Sequence, residues 1–208
     1  MIDAVIDLSH WETVTDWGAI KKSGIAGVIY KATEGQTYID TTYHDARASA
    51  EATGLLWGAY HFLRPGDLAQ QAVFFVDSVG YDLDLYCADH EDSGVSIDDL
   101  KEFLTAVCRL TGRYAVIYSG HVLKEQVAGL DRDDELAAHR LWIAHYTDAE
   151  APVWPTNIWS SWWLWQYTET GAVPGIEDET DRNRYHGSLA KLKREWKKGG
   201  ANHAYRRG

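Results

Sequence analysis

Short runs rich in β-branched and aromatic residues alternate with helix-forming stretches along most of this chain. That alternation limits its fold more than any other feature. Residues 4–9 read as a strand and 14–23 as a helix that Gly24 ends; 27–33 form a second strand, with a helix over 42–53 behind it. A third strand at 55–63 precedes a helix at 68–79, and a fourth strand covers 85–91. The clearest helix spans 96–111, where Ile97, Leu100, Leu104, Val107 and Cys108 recur on one stripe and Ser96 stands ready to cap it. A fifth strand at 115–119 leads into a short helix near 121–127, after which the helices thin out. Residues 141–145, 163–167 and 181–185 read as strands without a clear helix between them. Repeated β-α units indicate an α/β protein with a parallel sheet, and about eight strands permit closure into a barrel. An open doubly wound sheet is the alternative, but no Gly-x-Gly-x-x-Gly follows the first strand to support its dinucleotide-binding form.

A chain of 208 residues suits one domain, and 45% apolar with 12% aromatic residues argues against disorder. The net charge of −11 disfavours a general nucleic-acid binder, which needs a basic surface to displace counterions. Charge is unevenly placed: residues from Lys191 onward carry +6 and the first 190 carry −17. The expected organisation is therefore a body at 1–190 and, at 191–208, a basic helix end with a flexible tail beyond Gly199-Gly200. A basic foot that attracts an anionic surface is the sharper alternative. The N-terminus carries acids where a signal peptide would carry Lys or Arg, and the longest nearly apolar run, 54–63, is too short to cross a bilayer. Two cysteines, Cys87 and Cys108, make no disulfide framework, and neither they nor His61, His90 and His145 show metal-ligand spacing. No cofactor or metal is expected.

Three of these strands carry acids at one end: Asp7 near the end of the first, Asp89 and Glu91 on the fourth, and Asp181 at the start of the last. In a β/α barrel the C-terminal strand ends line the mouth where chemistry takes place. Asp89 and Glu91 share a face, with Cα atoms roughly 6.6 Å apart, while His90 turns away. Two carboxylates that close cannot both ionise comfortably, so one keeps its proton near neutral pH. A protonated acid beside an ionised one is the equipment for cleaving a glycosidic bond. The last strand borders the first in a closed barrel, which lets Asp7 and Asp181 face this pair across one cleft.

Tryptophan is over-represented, with ten Trp against four Phe. Sugar rings pack on aromatic faces, and Trp offers the largest. Trp154, Trp159, Trp162, Trp163 and Trp165 crowd into one short stretch, but Trp162 and Trp163 must point opposite ways, so only some can line a cleft.

At these residues the sequence resembles glycoside hydrolase family 25, the muramidases or Chalaropsis-type lysozymes, over roughly residues 2–190. The matching pieces occur in order: Ile6-Asp7-Leu8-Ser9; Lys31-Ala32-Thr33-Glu34-Gly35 with Tyr38 and Asp40; Gly58-Ala59-Tyr60-His61-Phe62 before Arg64-Pro65; and Asp89-His90-Glu91. Ile117-Tyr118-Ser119-Gly120, Leu141-Trp142-Ile143-Ala144, Trp165-Gln166-Tyr167 and Asp181-Arg182-Asn183 complete the series. The resemblance implies an irregular TIM-like β/α barrel of about five β/α units completed by additional strands. It implies that Glu91 is the general acid and later the base, that Asp89 orients the substrate's N-acetyl group, and that Asp7 and Asp181 are further cleft acids. Tyr60, Tyr118, Trp165, Gln166, Glu34 and Asn183 match substrate-binding positions. His90 and Cys87 stand where the family usually has apolar residues.

The implied activity is hydrolysis of the β-1,4 bond between N-acetylmuramic acid and N-acetylglucosamine in peptidoglycan, with net retention. The expected setting is a monomeric phage or prophage endolysin held in the host cytoplasm before lysis. It would act on glycan strands without nucleic acid, membrane insertion or a separate wall-binding domain. Two rivals share the residues: a non-catalytic glycan-binding barrel, and a metal-dependent hydrolase using the four acids as oxygen ligands.

Overall fold

The computed structural model describes residues 1–202. Strands β1 (Ile2–Leu8), β2 (Gly27–Glu34), β4 (Leu56–Phe62), β5 (Tyr86–Asp89), β6 (Val116–Ser119), β7 (Leu141–Ala144), β8 (Leu164–Gly171) and β9 (Thr180–Tyr185) form one closed sheet. The hydrogen-bonded circuit runs β1-β2-β4-β5-β6-β7-β8-β9 and returns to β1. All neighbours are parallel except β9, which is antiparallel to both β8 and β1. The barrel is thus closed and mixed, and the open-sheet alternative is excluded. β3 (Tyr38–Ile39), absent from the sequence reading, folds back on the end of β2 as a short hairpin at the rim.

Helices α1 (Trp17–Lys22), α2 (Tyr43–Ala52), α3 (Leu68–Val79), α4 (Ile97–Thr111) and α5 (His121–Val127) supply crossovers between parallel strands. α4 starts at a full capping box: Ser96 accepts from the Asp99 amide while Asp99 accepts from the Ser96 amide. α1 is shorter than its apolar pattern suggests, because Asp16 caps the Ala19 amide and Val14 is diverted into a bridge with Ile176. Between β7 and β8, residues 145–163 run as coil and turns, as the fading periodicity indicates. A one-turn helix, α6 (Asp134–Ala137), lies between α5 and β7. No helix among the described residues is long and apolar enough to cross a membrane.

The last helix, α7 (Leu189–Trp196), corrects the expected boundary at residue 190. Leu192 and Trp196 are fully buried among barrel-interior residues that include Val5, Ile29, Val116 and Trp142. The Trp196 ring occupies the space beside Gly27, where an added Cβ would lie 2.7 Å from it, and its Nε1 donates to the Trp57 carbonyl. α7 therefore plugs the barrel at the end opposite the mouth. Residues beyond it stay engaged: Gly200 donates to Tyr114 O and accepts from Arg140 N, so close to Ala115 that no side chain would fit. Its lysines face outward while its apolar stripe completes the core. Of the flexible tail expected beyond Gly199-Gly200, Ala201 bridges His139 and the Asn202 amide donates to Ala138 O, while residues 203–208 lie outside the described residues.

Candidate active site

The mouth is set by strand direction. β1 and β5 end there, and β9, running the other way, begins there. Asp7 and Asp181 are register partners across the β1–β9 ladder, and Asp89 pairs with Phe62 and Tyr118 on the flanking strands. All four acids expected at the mouth are consequently at one end of the barrel.

Asp7 is the most enclosed of them in hydrogen-bonding terms. Its Oδ1 accepts from Asn183 Nδ2 at 2.6 Å and its Oδ2 from Gln166 Nε2 at 2.9 Å. Gln166 Oε1 in turn accepts from Tyr118 Oη at 2.8 Å and Tyr146 Oη at 3.0 Å, and Asn183 Oδ1 from Trp142 Nε1 at 2.6 Å. These contacts fix both amide orientations, since each amide oxygen is engaged by a donor and each nitrogen faces the carboxylate. Burial and the neighbouring Asp181 push the Asp7 carboxyl well up, against the pull of its two amide donors. Burial also raises Asp181, to about 6. The pair holds a proton to a higher pH than either acid would in water.

Asp89 closes β5, and its carbonyl accepts from the Leu63 amide. The expected strand reaches Glu91, but the observed one stops at Asp89; the extended course continues because His90 N donates to Tyr118 O and His90 O accepts from Ser119 Oγ. The outward His90 ring contacts Gln126 Oε1 at 2.8 Å, while Gln126 Nε2 donates to Val95 O. Asp89 Oδ1 is buried with no protein partner. Burial and then the charge of Glu91 raise the Asp89 carboxyl well above its ordinary range, with Lys31 opposing. Glu91 opens to solvent at the mouth, and the surrounding protein raises its carboxyl, with His121 acting the other way. One group of this pair is thus equipped to carry a proton at neutral pH.

Several expected substrate contacts are placed differently. Trp165 is fully buried and donates from Nε1 to His145 O, so its ring is core and not a sugar platform. Trp159, Trp162 and Trp163 are buried as well, and Trp154 is only partly exposed; Trp162 and Trp163 border a cavity beside α7 with Arg140, Lys191 and Glu195, not the mouth that holds the acids. Asn183 and Gln166 are buried and spend their amides on Asp7, which makes them supports of that acid. Tyr118 sits beneath them at 8% exposure. Tyr60 is half-buried at the mouth end of β4, and burial followed by the charge of Asp89 holds its phenol well up. Glu34 is bound by Lys31 at 2.6 Å and Arg64 at 2.7 Å; burial would raise its carboxyl, but these cations outweigh that and lower it. His61 faces out of the barrel, between Thr33 Oγ1 and Gln71 Oε1.

The sequence reading overlooked the exposed rings of Trp11 and Tyr146 at the mouth and gave no role to the exposed Tyr38 of the second motif. Position was the only available signal: Trp11 follows Asp7 by four residues and Tyr146 follows β7 by two. Among the described residues no three His, Cys, Asp or Glu side chains converge where a metal ion could be held. Two acid pairs, one of them with an unsatisfied oxygen, are suited to proton transfer and to stabilising a cationic sugar centre.

Residues 6–176 match the model of glycosyl hydrolases family 25. The chain is 30% identical over 205 residues to Lysozyme M1 of Streptomyces globisporus, covering 90% of this chain and 69% of that protein. It superimposes on the crystal structure of the bacterial lysozyme from Streptomyces coelicolor with a TM-score of 0.84 at 28% identity, covering 95% and 99% of the two chains. The CTP1L endolysin aligns with a TM-score of 0.75 at 26% identity, over 93% of this chain and 70% of that one. The family match across most of the barrel and the shared fold lead to one assignment: the chain belongs to glycosyl hydrolase family 25, as a peptidoglycan-hydrolysing muramidase.

Proposed function

We propose that this enzyme cleaves the β-1,4 bond between N-acetylmuramic acid and N-acetylglucosamine with net retention, using Glu91 and Asp89 as its reacting pair. The observation that carries this reading is the buried, unpartnered Oδ1 of Asp89 beside a raised Glu91 carboxyl. An acetamido N–H of the substrate is a donor that would satisfy that oxygen. Glu91 gives its proton to the departing glycosidic oxygen while the substrate's acetamido oxygen closes on the anomeric carbon. Asp89 balances the positive charge of the resulting oxazolinium ion. Glu91, now ionised, takes a proton from water as the water oxygen opens the ring from the original face, which retains configuration. Asp7 and Asp181 form the second acidic wall and add negative potential opposite the developing cation. Tyr60 lines the floor between the two pairs, and Tyr118, Gln166 and Asn183 hold Asp7 in place.

The same reading takes peptidoglycan glycan strands as the partner of a monomer that needs no nucleic acid and does not insert into membranes. An endolysin role, with storage in the host cytoplasm before lysis, is supported by the likeness to the CTP1L endolysin; detection of the protein outside intact, uninfected cells would count against it. Mass spectrometry of digested peptidoglycan tests the bond specificity. Reducing-end muramic acid is expected; reducing-end glucosamine would redirect the activity to a glucosaminidase, and released peptides would refute glycosidase action. Glu91→Gln should lower turnover by about 10²–10⁴-fold with the fold intact.

A further inference from the structure

Nine of the ten tryptophans are buried or partly buried, yet Trp11 is 75% exposed. Its exposure is not that of a loose loop. Ser9 N and Oγ both donate to Glu12, and Trp11 N donates to Ser9 Oγ. His10 is tied to Asp40 twice, through its amide at 3.0 Å and Nδ1 at 2.8 Å. Asp40 is itself buried, and its other oxygen accepts from Thr42 N and Oγ1. The turn is therefore braced internally through Ser9 and Glu12 and tied to the barrel rim through Asp40.

The rings continue from that turn along the rim. His10 lies 4.6 Å from Trp11 and 6.2 Å from Tyr38, whose hydroxyl contacts His10 Nδ1. Lys31 sits 5.5 Å from the Tyr38 ring and 5.3 Å from the Phe62 ring, and Arg64 lies over Phe62 at 4.5 Å. These cations are already paired with Glu34 and Asp92, so the rim offers stacking faces more than free charge. It is continuous with the cleft, because His10 follows Asp7 by three residues on the extension of β1, and Thr13 is hydrogen-bonded to Glu177 and Asp178, just ahead of Asp181.

We propose that His10, Trp11 and Tyr38 form a saccharide-stacking subsite that binds the glycan strand beyond the two sugars flanking the cleaved bond. This rests on the muramidase reading above and extends it to the length of strand the enzyme grips. A preorganised aromatic face binds a sugar ring's C–H surface without the entropy of ordering a loop. Trp is highly buried on average, yet here the hydrogen bonds of Ser9, His10 and Trp11 hold the turn that presents the ring outward.

Calorimetric titration in a Glu91→Gln background tests the subsite, using a disaccharide, a tetrasaccharide and an octasaccharide of alternating N-acetylglucosamine and N-acetylmuramic acid. Trp11→Ala should weaken the octasaccharide about tenfold, equivalent to about 1.4 kcal/mol, and leave the disaccharide unchanged. Tyr38→Ala should act in the same direction, and Trp11→Tyr should retain most of the affinity. Wild-type octasaccharide affinity in Trp11→Ala, or an equal loss at every length, would overturn the proposal. So would concentration-dependent self-association that Trp11→Ala abolishes, since the face would then serve a second copy of the chain. Digestion products from the enzyme with Glu91 intact report separately on bond specificity, so correct products without the length effect would reject the subsite alone.

Discussion

Removing the Trp196 side chain should destabilise the barrel severely, although residue 196 lies at the opposite end from the mouth. The indole is fully buried, its ring fills the gap left by Gly27, and its Nε1 satisfies the Trp57 carbonyl at 2.9 Å. Trp163 packs 6.0 Å away, centroid to centroid, and Leu192 completes the plug. Truncating a buried Trp to Ala costs about 3–5 kcal/mol through lost transfer energy and the cavity left behind. The orphaned Trp57 carbonyl places Trp196→Ala toward the upper part of that range unless water enters. For a chain of this size each kcal/mol lowers Tm by about 2–4 °C, so the fall should be roughly 6–20 °C. Trp196→Phe keeps most of the bulk and loses the hydrogen bond, so a smaller cost of about 1–2 kcal/mol is expected. Urea unfolding followed by far-ultraviolet circular dichroism, with the m-value compared between variants, measures both. A Trp196→Ala midpoint within about 0.5 kcal/mol of wild type, the size of an ordinary surface effect, would refute the argument and return α7 to the status of a solvated appendage.

Asp89→Asn should raise Tm at neutral pH while lowering activity. A carboxyl raised in the folded state leaves stability unchanged at low pH and costs progressively more as pH rises past the unfolded value, so the Tm gap between variant and wild type should open with pH; a variant less stable at pH 7 would contradict this. Asn183→Leu removes the 2.6 Å donor that lowers the Asp7 carboxyl, so any limb of the kcat/KM profile that reports Asp7 should move to higher pH; an unmoved profile would show that Asp7 does not titrate in the working range. Trp165→Phe should lower Tm and leave KM unchanged, because the ring is core; a raised KM at unchanged Tm would put it back in the cleft.

The sequence carried information wherever the physics is local. Apolar periodicity and caps identified the β-α units, and Ser96 before α4 was visible because an N-cap needs only its own turn. The acids were legible too: strand ends are marked in the chain, and closure of β9 against β1 brings Asp7 opposite Asp181 at the same mouth as Asp89 and Glu91. What the chain alone could not settle is which side of a surface a residue faces after closure. Trp165 and Trp11 are both tryptophans beside polar residues in the linear sequence, yet one is wholly buried and the other three-quarters exposed. The basic run at 191–198 suggested a solvated end, because its lysines dominate composition while Leu192 and Trp196 supply only two inward positions. Burial is a property of the assembled barrel: a ring becomes core only when strands distant in sequence close around it, and amides such as Gln166 and Asn183 become supports of Asp7 only when that closure brings them within 3 Å. Sequence determined the elements and the acids, and tertiary structure decided which side chains face the substrate and which hold the machinery still.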